Sequence, residues 1–240
     1  MEPSDEEQAK RAVARCAVET FVRPETCIGL GTGSTMRYAI ERVGELIAAG
    51  TRLRVVPTSH VTQRLCRDAS IPVVAFGDEP IDVAIDGADE VDPQWALIKG
   101  GGGALFREKA VALAARAFVV IVTDRKCVER LGAFALPVEV VPFSTTYVAH
   151  EIEALGASVA LRRAGHDGKA FVSDNGNAIL DCRFETIAAP AMLDRIVREI
   201  HGVVTTGLFV GLTSAVMVAN TDGTIATIPS PALRTRRVLA

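Results

Sequence analysis

The apolar run at residues 117–122 constrains the fold of this chain more than any other feature. Its consecutive residues, Ala-Phe-Val-Val-Ile-Val, are typical of a strand that is buried on both faces. Strands of this kind belong to parallel sheets, in which helices cover both faces. The chain supplies candidate helices, because apolar side chains recur at helical spacing in residues 9–21 and 36–47. The pattern therefore predicts an α/β fold with a mostly parallel sheet and helices on both faces.

The order of the other apolar segments predicts two domains. Short runs of strand type at residues 27–31, 53–56, 72–76 and 81–85 alternate with helices, which indicates a Rossmann-like sheet. After residue 132 the order becomes strand, helix, several strands, helix and a last strand at 203–209, which suits a small α+β domain of the ferredoxin-like kind. A hairpin at residues 215–228 then returns to the sheet. We expect a catalytic domain of residues 1–132 and 211–240, and a small domain of residues 133–210 that takes part in assembly.

Composition argues against several functional classes. The net charge is −3, and the only short basic run lies at residues 234–237, which argues against a nucleic-acid partner. No apolar run reaches the roughly 18 residues of a membrane span. The five cysteines are dispersed without a CxxC pair, which indicates reduced thiols and neither a disulfide framework nor a zinc site. Since the first residues are acidic and unlike a signal peptide, we expect a cytoplasmic protein.

A glycine-rich segment at residues 29–35, Gly-Leu-Gly-Thr-Gly-Ser-Thr, lies between a predicted strand and a predicted helix. Glycines let the backbone approach a ligand, and a helix N-terminus offers free N–H groups to a phosphate. Candidate ligands are Thr32, Gly33, Ser34 and Thr35, and Ser34 or Thr35 can also cap the helix. The segment matches neither the GxxxxGK[ST] loop nor a full GxGxxG fingerprint. The residues alone leave open a phosphate site or a tight strand-to-helix turn.

Two carboxylates follow the predicted strand at residues 81–85. Asp86 and Asp89 lie at its carboxyl end, which is where open α/β sheets bind their ligands. They can accept hydrogen bonds from sugar hydroxyls or hold a hard cation. No histidine or cysteine is near, which argues against a transition metal, whereas the residues alone leave Mg²⁺ and a solvated acidic loop open.

Lys99 precedes four consecutive glycines, of which Gly100, Gly101 and Gly102 are candidate ligands. Such a run is costly to order, and a structural turn rarely needs more than one or two glycines. Exposed backbone amides in such a loop can cradle an oxyanion. The loop is therefore a candidate for stabilising negative charge on an oxygen atom.

Two further charged residues follow predicted elements. Glu108 lies on the helix after the glycines and is either solvated or turned back over them, where partial burial suits a general base. Lys126 follows the buried strand and therefore lies at the carboxyl edge of the sheet. It is either a phosphate or hydroxyl ligand, or part of a solvated helical turn.

The motifs GLGTGST (29–35), DGADEVD (86–92), KGGGGA (99–104), REK (107–109) and TDRK (123–126) occur in one order and together resemble the type A ribose-5-phosphate isomerases. The resemblance extends to LPVEV at 136–140, SDNGNAILD at 173–181 and TGLF at 206–209, and thus covers most of the chain. It implies interconversion of ribose 5-phosphate and ribulose 5-phosphate through an enediolate, without cofactor or metal, in the non-oxidative pentose phosphate pathway. It also implies a homodimer or a dimer of dimers.

The resemblance assigns roles to matched residues. It implies that Glu108 is the general base between C2 and C1, and that Asp86 and Asp89 bind sugar hydroxyls and assist ring opening. It implies that Lys99 stabilises negative charge together with the amides of Gly100, Gly101 and Gly102. The residues that hold the substrate would be Thr32, Gly33, Ser34, Thr35 and Lys126, with Lys10 at the phosphate and Arg11 as a competing candidate for Lys10.

Three alternatives are weaker on the same residues. A phosphosugar-binding regulatory domain would lack the Glu108 base and would carry a DNA-binding module, for which the roughly 25 residues before the first strand are too few. A sugar-phosphate deaminase or lactonase would use a histidine near the site, and residues 86–126 contain none. An inactive homologue would not keep the full set of acid, base and anion-binding groups.

Overall fold

The computed structural model describes residues 5–165, 168–220 and 223–229. Its helices are α1 (Asp5–Phe21), α2 (Ser34–Ala48), α3 (His60–Asp68), α4 (Leu105–Ala114), α5 (Thr145–Ala154) and α6 (Pro190–Glu199). Its strands are β1 (Cys27–Leu30), β2 (Arg54–Pro57), β3 (Ile81–Asp86), β4 (Glu90–Val91), β5 (Leu97–Ile98), β6 (Ala115–Thr123), β7 (Leu136–Val140), β8 (Ser158–Leu161), β9 (Arg163–Ala164), β10 (Lys169–Ala170), β11 (Ala178–Arg183), β12 (Val203–Thr206), β13 (Leu208–Phe209), β14 (Ala215–Ala219) and β15 (Ile225–Pro229). The basic run 234–237 lies outside the described residues.

The chain divides into two compact units. The first contains residues 1–87, 110–126 and 211–240, and the second contains residues 88–109 and 127–210. Residues 88–109, which carry Lys99 and Glu108, thus group with the second unit and not with the rest of residues 1–132, which are predicted to form the catalytic domain. The assignment of a catalytic and an assembly domain stays a prediction.

The first unit is built on one mostly parallel sheet, with the strand order β15-β14-β6-β3-β1-β2. Only β15 is antiparallel to its neighbour, β14, and the two form the predicted hairpin. Strand β1 is buried at every position and β6 is buried from Phe118 onward, so elements cover both faces of these central strands. The predicted α/β class is confirmed.

Helix α1 packs on β6 and β14 as well as on α2. Its buried residues Val13, Ala14, Ala17 and Val18 follow helical spacing and enter the core of the first unit beside Ile28, Leu30 and Ile121. This core fixes the strands, and the strands position the loops at their ends.

The second unit contains an antiparallel sheet with the order β12-β7-β11-β8. Along the chain the elements run β7, α5, β8, β11, α6 and β12, and each helix connects two parallel strands that have a third strand between them. This is the split βαβ arrangement of the ferredoxin-like fold, as the sequence predicts. Its own core includes Val138, Val148, Leu180 and Val197.

A smaller sheet in the second unit, β13-β5-β4, was not apparent from the sequence. The predicted single strand at 203–209 is wrong, because the chain breaks at Gly207 and its two halves join different sheets. A Cβ atom at Gly207 would lie 2.3 Å from the carbonyl oxygen of Lys99, so only glycine fits. The Gly207 carbonyl accepts a hydrogen bond of 2.9 Å from the Lys99 amide, and this anchors the residue that precedes the glycine loop.

Other expectations need smaller corrections. Residues 72–76 do not form a strand, since Val73 makes only a single bridge to Val55 and most of the segment is exposed. The sequence pattern predicts a helix over residues 104–116, but α4 ends at Ala114 because Ala115 already pairs with Ile81 in the sheet. Among the described residues, no helix combines the length and the apolar character that crossing a membrane requires.

Candidate active site

The glycine-rich turn after β1 presents a helix N-terminus. Gly33 is the N-cap of α2 with φ 133°, a conformation that favours glycine, and it makes no side-chain capping bond. The predicted cap by Ser34 or Thr35 is therefore wrong, since both residues lie inside the first helical turn. Gly33 and Ser34 are exposed and Thr35 is half-buried. The first-turn N–H groups thus face no competing cap and can bind an anion.

Thr32 is the exception among the residues of this turn. Its hydroxyl lies 2.9 Å from that of Thr58, 2.8 Å from that of Ser59 and 3.1 Å from that of Thr62. Thr62 in turn donates to the carbonyl of Gly31 over 2.8 Å. Three partners saturate one hydroxyl, so the Thr32 side chain fixes the turn and does not point to a ligand. The sequence signal for this cluster is the spacing of Ser59 and Thr62, because Ser59 caps α3 and accepts from the Thr62 amide.

Asp86 ends β3 with its side chain buried at the base of the same turn. Its Oδ1 accepts hydrogen bonds from the amides of Thr32 (3.2 Å) and Gly87 (2.8 Å). A Cβ atom at Gly31 would lie 1.8 Å from this oxygen, so a glycine is required here to leave room for the carboxylate. The turn and Asp86 are therefore one rigid assembly.

The strand order brings Lys126 to the same edge. Strands β1, β3 and β6 are parallel neighbours, so their carboxyl ends share one edge of the sheet. The glycine-rich turn, Asp86 and Lys126 follow these three ends, with Lys126 half-buried in a short 3₁₀ turn. As predicted for this unit, the groups that can bind an anion and sugar hydroxyls lie at the carboxyl edge.

Lys10, on α1, is held by two carboxylates. Its ammonium lies 3.0 Å from Glu6 and 2.9 Å from Glu7. Burial acts to lower the pKa of Lys10, but the hydrogen bonds that its ammonium donates to Glu7 and Glu6 outweigh burial and raise the pKa above its usual range. Glu6 also pairs with Arg125 at 3.1 Å, so it links Lys10 to the turn that carries Lys126.

The three carboxylates of the acidic motif that lie in the second unit, Asp89, Glu90 and Asp92, have different hydrogen-bond partners. Asp89 accepts a hydrogen bond of 2.8 Å from the amide of Gly101 and so ties the motif to the glycine loop, residues 100–103. Glu90 is buried and accepts from the amides of Gly132 and Phe134. Asp92 is buried in an Asx turn, where burial raises its pKa. Glu90 and Asp92 are therefore structural, and Asp89 is the member that faces the loop.

Glu108 is buried beside Lys99. The two side chains are each 3 % exposed, and Nζ of Lys99 lies 3.3 Å from Oε2 of Glu108. The solvated alternative for Glu108 is thus wrong. Lys99 also lies over the ring of Phe209, 5.5 Å from its centroid. A buried carboxylate next to an ammonium can take a proton from carbon while the ammonium stabilises the charge that develops on oxygen.

The glycine loop is closed by close contacts that exclude side chains. Gly100 has φ 98°, and a Cβ atom there would lie 2.8 Å from Leu105. Gly103 has φ 80°, and a Cβ atom would lie 2.4 Å from the ring of Phe171. Within the part of the chain that the structure describes, the amides of Gly100 and Gly102 donate no hydrogen bond. The loop therefore offers backbone donors to a ligand, which explains why several glycines are needed.

Lys109 is a buried group that the sequence analysis missed. Its side chain is 12 % exposed, lies 3.6 Å from Asp194, and its ammonium is 5.0 Å from the centroid of the Phe209 ring. Burial lowers the pKa of Lys109 to about 8. Lys99 and Lys109 thus share one aromatic ring, although only the Lys99 side chain pairs directly with Glu108. In residues 5–165, 168–220 and 223–229, no cluster of His, Cys, Asp or Glu is arranged to hold a metal ion.

Comparison with known proteins identifies the family. Residues 54–223 match the model of the family described as ribose 5-phosphate isomerase A (phosphoriboisomerase A). The ribose-5-phosphate isomerase A 1 of Oceanobacillus iheyensis is 43% identical over 221 residues, which cover 91% of this chain and 97% of that protein. The resemblance drawn from the motifs is therefore confirmed.

Solved structures agree over nearly the full length. The ribose 5-phosphate isomerase A of Methanocaldococcus jannaschii superposes with a TM-score of 0.89 at 34% identity, covering 93% of this chain and 99% of that chain. A D-ribose-5-phosphate isomerase in complex with phospho-erythronic acid gives a TM-score of 0.90 at 35% identity, covering 93% and 98%. With fold, family model and full-length relatives in agreement, the chain belongs to the ribose 5-phosphate isomerase A family and is an isomerase that interconverts ribose 5-phosphate and ribulose 5-phosphate.

Proposed function

We propose that the isomerisation catalysed by this chain proceeds through an enediolate with Glu108 as the general base. The observation that carries this is the buried Glu108 carboxylate, 3.3 Å from the Lys99 ammonium. Glu108 takes the proton from C2 of the open-chain aldose. The C2–H electrons form the C1=C2 bond, and the carbonyl pair moves to O1. Return of the proton to C1, with transfer of the O2 proton to O1, gives the ketose.

Lys99 and the glycine loop stabilise the charge that develops on oxygen in this step. The Lys99 ammonium is buried, where its interaction with an anion is stronger than in water. The amide of Gly102 adds a neutral donor that needs no reorganisation during the reaction. This combination supports a reaction in which one carboxylate moves the proton and neither cofactor nor metal is needed.

The two remaining carboxylates bind the sugar. Asp86 is fixed by backbone amides of its turn, and Asp89 is fixed by the amide of Gly101. Carboxylates held in this way can accept hydrogen bonds from sugar hydroxyls and take the ring hydroxyl proton when the ring opens. The phosphate is held by the N-terminus of α2, Ser34 and Thr35, with Lys126 from the same edge of the sheet.

Lys10 is the better candidate than Arg11 for a further phosphate contact. Glu6 links Lys10 to Arg125, next to Lys126, and Lys10 stays an ammonium because its pKa is raised by Glu7 and Glu6. Arg11 is exposed and pairs with Glu41 on α2, 3.4 Å away. A substrate phosphate at this position would compete with Glu6 for the Lys10 ammonium.

Assembly and location complete the proposal. Phe143 is fully exposed, and Val141 and Tyr147 beside it in sequence are also exposed, which supports a second copy of this chain as the partner of the ferredoxin-like part in a homodimer or a dimer of dimers. Light scattering at micromolar concentration measures this directly. All five cysteines are free thiols, which supports a cytoplasmic location.

The proposal is tested by the conversion of ribose 5-phosphate to ribulose 5-phosphate. Glu108→Gln keeps the shape of the side chain and removes its basicity, so we expect turnover to fall at least ~100-fold. Binding of phospho-erythronic acid should stay within a few-fold, because its phosphate and hydroxyl contacts are unaffected. Activity of the unchanged protein should survive EDTA.

The controls separate the possible failures. Near-normal turnover of Glu108→Gln would remove Glu108 from the mechanism. Inhibition by EDTA that Mg²⁺ reverses would contradict the metal-free reaction and would make Asp86 and Asp89 metal ligands. Loss of phospho-erythronic acid binding in Glu108→Gln would mean that the variant disturbs the site as a whole.

A further inference from the structure

Arg162 donates hydrogen bonds to two backbone carbonyl groups of the glycine loop. Its Nη1 donates to the carbonyl of Gly100 over 2.8 Å and to that of Gly101 over 3.2 Å. Its Nε donates to Asp181 on β11 over 3.0 Å, and Nη2 bonds the other carboxylate oxygen. The guanidinium therefore forms a bidentate salt bridge with Asp181, and its remaining nitrogen donates hydrogen bonds to the carbonyl groups of two successive residues.

The geometry of a peptide group links these bonds to the catalytic side of the loop. In a trans peptide, the carbonyl of one residue and the N–H of the next point in opposite directions. Fixing the Gly100 carbonyl therefore fixes the Gly101 N–H, which donates to Asp89 over 2.8 Å. Fixing the Gly101 carbonyl fixes the Gly102 N–H on the side away from Arg162, where it donates to no group in the described part of the chain.

The charge of Arg162 acts on the same two peptide groups. A cation on a carbonyl oxygen polarises the peptide and makes its N–H a stronger donor. A run of glycines has no side chains that could restrict these peptide groups. The Gly103 amide also donates to the Gly100 carbonyl over 2.9 Å, and Arg162 adds the bond that holds the Gly101 carbonyl. The ring of Phe171, 5.9 Å from the guanidinium carbon, closes the loop at Gly103 and keeps the guanidinium in place.

We propose that Arg162, held by Asp181, is a positioning residue for the isomerisation: it orients the peptide groups of the glycine loop so that the Gly101 amide sets Asp89 and the Gly102 amide faces the developing oxyanion. The inference rests on the proposed enediolate mechanism and adds to it a residue that does not touch the substrate. It predicts an effect on the transition state that exceeds the effect on substrate binding.

The test is Arg162→Ala, assayed with ribose 5-phosphate and with guanidinium chloride added at millimolar concentration. Loss of one oxyanion donor costs about 10²–10³ in kcat, and since the donor is here misdirected and not removed, we expect kcat to fall about 30-fold with KM within about 3-fold. A cavity of about 390 Å³, lined by Gly101, Phe134, Arg162 and Asp181, gives free guanidinium a path to the vacated position. We expect it to raise kcat of the variant at least about 5-fold, and sodium chloride at equal ionic strength to have no such effect.

Arg163→Ala is the matched control. This neighbouring arginine is exposed and donates to the carbonyl of Gly168, so its removal should change neither kcat nor the response to guanidinium. Arg162→Lys covers the case in which the alanine variant does not fold. One ammonium cannot hold Asp181 and two carbonyls together, so its kcat should fall at least about 5-fold.

The outcomes separate this inference from the mechanism on which it rests. An unchanged protein that does not convert ribose 5-phosphate would overturn the proposed function itself. An active unchanged protein with a normal kcat in Arg162→Ala, or in Arg162→Lys where alanine does not fold, would overturn the role of Arg162 alone. So would a change confined to KM, or a lowered kcat that guanidinium does not restore in a folded Arg162→Ala.

Discussion

We expect Lys109 to make the protein less stable than an apolar side chain at this position would, because burial lowers the pKa of its ammonium. The ammonium is buried between Asp194 and the ring of Phe209, and burial lowers its pKa from 10.5 to about 8. In the unfolded chain the lysine keeps its ordinary pKa. Near neutral pH the side chain is protonated in both states, so folding must bury a charged group that would lose its proton readily.

The size and the sign of the effect follow from linkage. Each unit of pKa difference corresponds to about 1.4 kcal/mol, so the shift costs about 3 kcal/mol of stability at pH 7. Above pH 8 the folded state loses this proton while the unfolded state keeps it up to about pH 10.5, so stability rises with pH over that window. At pH 9.5 the remaining cost is about 1 kcal/mol.

Lys109→Met removes the charge and keeps the length and flexibility of the side chain. We expect it to raise the free energy of unfolding by up to about 3 kcal/mol at pH 7 and by only about 1 kcal/mol at pH 9.5. Urea unfolding of both proteins, at one fixed protein concentration and at both pH values, measures the difference. The reasoning is refuted if the variant is less stable at pH 7, or if the difference is the same at both pH values.

Two substitutions test the geometry of the remaining site. Gly31→Ala would place a methyl group 1.8 Å from Oδ1 of Asp86, so the carboxylate must move. Steady-state assays should show kcat reduced at least ~100-fold. A kcat within a few-fold of normal would show that the position of Asp86 is unimportant. Lys99→Met should lower kcat at least ~100-fold while KM changes only a few-fold, because the ammonium acts on charge that develops in the transition state; an effect on KM alone would make Lys99 a substrate anchor.

The sequence predicts the fold where one segment determines its own environment. The run at 117–122 must be buried on both faces, and β6 occupies the middle of the parallel sheet for that reason. The same logic places Asp86 and Lys126, because a polar residue directly after a buried strand lies at the carboxyl edge. The family motifs added the roles of these residues, which periodicity alone leaves open.

Structural features that depend on contacts between residues far apart in the sequence could not be predicted from local sequence patterns. The strands β4, β5 and β13 have two residues each, too few for any period, and their sheet exists because the Gly207 backbone approaches Lys99. Thr32 lies in a glycine-rich turn of the kind that binds phosphate, but its hydroxyl is hydrogen-bonded to those of Thr58, Ser59 and Thr62. Nothing in the turn itself shows that these partners come from α3 and from the two residues between β2 and α3.

Helix α4 departs from the usual burial pattern of helices at four positions. Leu105, Val111 and Ala112 are buried, but Phe106 and Leu113 are 40 % and 53 % exposed. The side chains of Glu108 and Lys109 are only 3 % and 12 % exposed. Consecutive residues point about 100° apart on a helix, so burying both requires cover over a wide sector, and that cover includes Lys99 and the ring of Phe209. A helix that only stabilised the fold would bury Phe106 and Leu113 in place of Glu108 and Lys109. The observed pattern costs stability at Lys109 and keeps the basic carboxylate in a dry site, where the chemistry of Glu108 requires it.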